Sequence, residues 1–126
     1  MIHIAVVAGG GALGAAGRYL ANVAATRLLG IGFPWGTMVV NILGSLAMGL
    51  AIGWLARRNE GGMVLSLFLT TGILGGFTTF SAFSLDALNL WQRGEVGLAF
   101  GYVAGSVVLS LAAVFAGLSI MRAGGL

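Results

Sequence analysis

Charge is scarce in this sequence. Lysine, arginine, aspartate and glutamate make up 7 % of its 126 residues, against about 25 % in ordinary soluble domains. So few ionised groups cannot cover a water-facing surface, and 59 % of the residues are hydrophobic; the chain reads as one integral membrane domain, residues 1–126. Cysteine is absent, which excludes a disulfide framework and a thiolate metal site. The single histidine, His3, lies at a terminus without ligand partners and receives no role. Lysine is absent too; the six arginines are scattered rather than clustered, which argues against nucleic-acid binding. The only acidic residues are Glu60, Asp86 and Glu95. Proton-coupled transporters generally need a buried carboxylate, and Asp86, late in a hydrophobic segment, is the one residue available for that. No basic residue precedes the first apolar run, and GGGALGAAG does not resemble a signal core, so no cleavable signal peptide is expected.

What is present is long apolar sequence. Residues 28–56, 61–85 and 96–121 carry no charge, and each run exceeds the roughly 20 residues that cross a hydrocarbon core as a helix. A further run, Ile4–Gly17, continues past Arg18 as YLANVAAT. The pattern predicts an all-α membrane protein with four transmembrane helices, near 3–29, 35–56, 62–91 and 96–121, joined by very short loops. Both termini and the 57–60 loop then share one membrane face, with Arg57, Arg58 and Arg122; the 30–34 and 93–95 loops share the other, with Arg27 and Arg93. Three arginines against two is a feeble positive-inside bias. It is compatible with one weakly biased topology, and equally with insertion in both orientations and antiparallel pairing.

A lone bundle of this size has little room for an aqueous path, so a dimer is expected. Gly97, Gly101 and Gly105 in the fourth helix, and Gly49 and Gly53 in the second, have the spacing that lets helix backbones approach closely. Thr37, Asn41 and Ser45 recur every four residues in the second helix, as do Tyr102, Ser106 and Ser110 in the fourth, so each trio lines one helix face. Singly, such residues are ordinary interhelical glue worth about 0.6 kcal/mol each; two continuous stripes favour a polar track. Asn41 is the strongest member, because its amide can donate to an anion. Arg18 fits either snorkelling to an interface or a water-filled vestibule where its charge concentrates anions.

The segment TTGILGGFTTFSAF, residues 70–83, places poor helix formers inside a hydrophobic segment. Gly72, Gly75 and Gly76 allow the backbone to depart from a helix. At membrane depth that is tolerated only in protein or beside a cavity, where freed carbonyls can hold a cation. Phe80 and Phe83 share a face beyond this point, with Thr79 beside them. Plain core packing is the ordinary reading of two such rings.

Three motifs change that weighting. GGALGAAGRY at 10–19, GTMVVNILGSLAMG at 36–49 and GGFTTFSAF at 75–83 resemble, in order and spacing, the signatures of the bacterial fluoride channels, the Fluc (CrcB) family. The resemblance covers essentially the whole chain. It implies a channel rather than an enzyme: an antiparallel, dual-topology homodimer in the bacterial inner membrane, with helix 3 broken near its middle, two fluoride pores and a central structural sodium ion. By position it implies pore roles for Phe80, Phe83, Asn41, Tyr102, Ser106, Ser110, Thr79 and Thr37, a vestibule role for Arg18, and sodium held by the backbone carbonyls of Gly75 and Thr78. Ala82 departs from the family, which often has threonine or serine there; little effect is expected. The alternative is a proton-coupled exporter of the small multidrug type, which would want a glutamate in the first helix, where there is none.

Overall fold

The computed structural model describes residues 1–57 and 62–123; Arg58 and Glu60, which enter the charge pattern above, lie outside the described residues. Every regular element among the described residues is helical. Four segments are long and apolar enough to cross a membrane: Ile2–Leu29, Trp35–Arg57, Gly62–Gln92 and Val96–Ala123. These bounds fall within two residues of those predicted from the charge-free runs. The chain is a multi-pass membrane protein.

The first, second and fourth spans are single helices: α1 (Ile2–Leu29), α2 (Trp35–Arg57) and α6 (Val96–Ala123). The third is composite. It begins as α3 (Gly62–Ser66), widens into a π-helix over Leu67–Leu74, continues as α4 (Gly75–Phe77) and, after Thr78 and Thr79, ends as α5 (Phe80–Gln92). In the π-helical part the Gly75 N–H reaches the Thr70 carbonyl, five residues back.

Helix ends meet as the short loops require. Arg93 donates to the Gly32 carbonyl at 3.0 Å, so the 30–34 and 93–95 loops lie at one end of the bundle. Arg57 reaches the Met121 carbonyl at 3.4 Å, joining the far ends of α2 and α6.

Packing follows membrane rules rather than those of a soluble core. Among the described residues the buried hydrophobic set is only Val40, Phe83, Leu90, Ala99 and Tyr102, while Leu13, Leu43, Val108, Leu111 and Phe115 point outward. Lipid gives helices no hydrophobic reason to associate, so close backbone contact through small residues has to hold them together. α1 lies on the first half of the third span, where a Cβ on Gly10 would sit 2.9 Å from Gly72 Cα and one on Gly76 would sit 2.6 Å from the Gly11 carbonyl. α2 lies mainly on α6: Gly49 faces the Val114 carbonyl, Gly53 faces Met121, and a Cβ on Gly117 would sit 2.5 Å from the Leu46 carbonyl. The Gly49/Gly53 spacing thus serves a contact within the chain. On α6 the spacing divides: a Cβ on Gly105 would sit 3.1 Å from the Met38 side chain, whereas Gly97 and Gly101 meet nothing within 4 Å.

Candidate functional site

Thr78 and Thr79 are extended, with φ/ψ of −86°/158° and −152°/124°. The paired glycines do not make this interruption: Gly75 holds helical angles of −63° and −36°, and Gly76 is the point of contact with α1. The interruption is held from outside and from within. Asn41 on α2 donates to the Thr79 carbonyl at 3.0 Å, and the Thr79 N–H donates to Asn41 Oδ1 at 2.8 Å. Thr79 also caps α5, its Oγ1 accepting from the Ala82 N–H at 3.1 Å. Thr78 Oγ1 donates back to the Leu74 carbonyl at 3.0 Å.

The carbonyls of the last turn before the interruption are affected, those of Gly75 and Thr78 among them. In a continuous helix Thr79 N–H would bond Gly75 and Ala82 N–H would bond Thr78. Both donors are engaged elsewhere, so both carbonyls lose those partners. A third, Gly76, accepts from Arg18 Nε at 3.2 Å.

Beside the interruption lies a pocket of about 310 Å³, lined among others by Asn41, Thr79, Phe80, Phe83, Ser106 and Ser110. Six of the eight residues assigned to a pore therefore meet in one cavity. Ser45, the third member of the α2 stripe, lines it as well. Aromatic rings form a chain that starts in it and leads out of it: Phe80 to Phe83 at 5.5 Å, Phe83 to Tyr102 at 5.2 Å, and Tyr102 edge-on to Phe33 at 5.4 Å. Phe80 is 77 % exposed within the subunit, whereas Phe83 is buried. The Ser106 hydroxyl is buried and has no hydrogen-bond partner, a rarity among buried polar groups.

The other two pore candidates lie further along. Thr37 lines a separate pocket of about 250 Å³ with Asn22, Asp86, Asn89 and Arg93. Tyr102, fully buried, turns its hydroxyl to Asp86 at 3.2 Å. Its ring rests on Phe83, so Tyr102 touches residues of both pockets. Arg18 lines neither.

Sequence reasoning missed the pairing of Tyr102 with Asp86; the available signal was that Asp86 lies three residues after Phe83, on the same helix face. It also missed Gly44, whose Cβ position is occupied by Thr78 Cγ2 and which lets α2 approach the interruption.

The family model described as CrcB-like protein, Camphor Resistance (CrcB), matches residues 5–118. The chain belongs to the CrcB family. Within that family it is 63 % identical to a fluoride-specific ion channel FluC of Paracoccus denitrificans, over 92 % of this chain and 91 % of the relative. It is 55 % identical to one from Agrobacterium fabrum and 52 % identical to one from Mesorhizobium japonicum, each over 97 % of this chain and 98 % of the relative. The three CrcB motifs at 10–19, 36–49 and 75–83 fall inside the matched region, and the second and third contribute Asn41, Thr79, Phe80 and Phe83 to the pocket.

Proposed function

We propose that this chain is a fluoride-selective ion channel of the bacterial inner membrane that lets fluoride leave the cytoplasm passively. The identity of the ion comes from the relatives' names, and its route from the pocket. The observation that carries the route is the unpartnered Ser106 hydroxyl, buried in the same cavity as Asn41, Phe80 and Phe83. A dehydrated anion needs donors to replace its water. Ser106, Ser110 and the second N–H of the Asn41 amide supply them. Phenyl rings are positive at their edges, so Phe80 and Phe83 attract an anion without holding it as a full positive charge would, the compromise that conduction requires. Acid surroundings drive hydrogen fluoride inward; it dissociates in the cytoplasm, and fluoride leaves through the channel.

The working unit is an antiparallel, dual-topology homodimer with two pores, in which the third span is broken at Thr78 and Thr79. Its support is the exposed Phe80 ring, the open face at Gly97 and Gly101, and the near-even arginine count of the two membrane faces. A structural sodium ion lies at the dimer centre, held by the Gly75 and Thr78 carbonyls of each chain. Both are hard oxygen donors relieved of their helical partners, the chemistry of cation sites at broken helices. Thr37 and Tyr102 continue the path, and Arg18 raises the anion concentration near it. A proton-coupled exporter is disfavoured, because α1 has no carboxylate and Asp86 accepts the Tyr102 hydroxyl.

The test is rescue of growth. Expressed in a bacterium stripped of fluoride export, the chain should restore growth in millimolar fluoride at mildly acid pH, and Phe80→Ile should not. Failure of the intact, membrane-inserted protein to rescue would contradict this function.

A further inference from the structure

Asn41 does something at the interruption that a pore-facing amide need not do: it bonds both backbone groups of one residue, the Thr79 N–H at 2.8 Å and the Thr79 carbonyl at 3.0 Å. We infer that Asn41 is a positioning residue, the external clamp that holds the third span open and so keeps the Gly75 carbonyl free for a cation. The inference rests on the sodium site proposed above.

An extended residue presents its own N–H and C=O along one edge, as strand residues do. Thr79, at φ −152° and ψ 124°, is such a residue. A carboxamide carries a donor and an acceptor side by side and matches that edge as a neighbouring strand would. The competing arrangement is an unbroken helix, in which the Thr79 N–H bonds Gly75 instead. Asn41 Oδ1 removes that donor, and the Asn41 amide compensates the Thr79 carbonyl at the same time. Gly44, one turn on, brings α2 close enough, with no Cβ between it and Thr78. The arrangement is specific to asparagine. Aspartate keeps an acceptor and loses the donor, alanine loses both, and glutamine carries its amide one carbon too far.

Sodium titration of thermal unfolding tests this without using flux. The purified dimer in detergent, free of fluoride, is titrated with sodium against N-methylglucamine, comparing the unmutated protein with Asn41→Ala, Asn41→Leu and Phe83→Ile. Asn41→Leu keeps the size of the side chain without its donor or acceptor and serves if Asn41→Ala does not assemble. The unmutated protein and Phe83→Ile should be stabilised over the same sodium range. The Asn41 variants should need on the order of tenfold more sodium, the factor expected for about one lost hydrogen bond. A sodium midpoint unchanged in both Asn41 variants, with the unmutated protein responding, overturns the clamp alone. No response in the unmutated protein overturns the sodium site and the clamp together.

Discussion

The Ser106 hydroxyl is buried without a partner, and a buried polar group left unsatisfied costs about 1–3 kcal/mol. Stability and transport therefore make opposite demands on this residue. Ser106→Ala should leave thermal stability in detergent unchanged or raised while fluoride flux falls; a destabilised variant with full flux would make Ser106 a packing residue instead. Phe83 argues similarly. It is buried, stacked between Phe80 and Tyr102, and a ring contact is worth about 0.5–1.5 kcal/mol. Phe83→Ile keeps an apolar side chain but loses the ring edge, so flux should drop by roughly tenfold while the protein still elutes at its unmutated position. Undiminished flux would return the ring to ordinary core packing. Much of this pocket was legible in the sequence, because four-residue spacing stacks Asn41 with Ser45 and Ser106 with Ser110 whatever surrounds them. What spacing could not reveal is how Asn41 divides its amide between Thr79 and the pocket, or that Tyr102 finds Asp86, since both depend on contacts between separate helices.

At the scale of elements, several ends of the four spans were legible because Arg27, Arg57, Arg93, Glu95 and Arg122 lie within two residues of a helix end. The interior of the third span was not. LFLTTGIL carries no pattern that separates a π-helix from an α-helix, and the loosening suggested by Gly75 and Gly76 occurs at Thr78 and Thr79, where side chains supply replacement partners. Glycine instead sets how closely helices approach. The α2–α6 contact uses Gly49, Gly53 and Gly117, the last outside any GxxxG spacing. Gly117→Ala should destabilise the protein by about 1–3 kcal/mol, because its Cβ would press on backbone atoms of α2 that cannot move aside as a side chain could. Gly97→Ala meets nothing within the subunit. Thermal unfolding of the two variants side by side checks the contrast, and equal stability would mean that the α2–α6 contact is looser than described.

For the whole molecule, arginine balance and sodium are the two features to probe. Three arginines on one face and two on the other give the insertion machinery almost nothing to choose by. C-terminal fusions to a reporter active only inside and to one active only outside should therefore both give signal. Signal from one alone would rule out dual topology. Sodium at the Gly75 and Thr78 carbonyls would tie the halves together at the centre, so exchange of sodium for N-methylglucamine on both sides should abolish or strongly reduce flux. Full flux in its absence would remove sodium from the account. Bundle size and arginine balance already point to a partner chain; the sodium ion is not legible in composition or spacing and comes from the resemblance.

Efflux from liposomes measures passive, fluoride-selective conduction directly. Vesicles containing the purified protein and loaded with potassium fluoride or potassium chloride are diluted into buffer free of both anions, valinomycin is added so that potassium can follow, and the released anion is followed by electrode. Fluoride should be released rapidly without any proton gradient, and chloride should be retained. Equal release of chloride, or fluoride release that needs a proton gradient, would contradict such conduction.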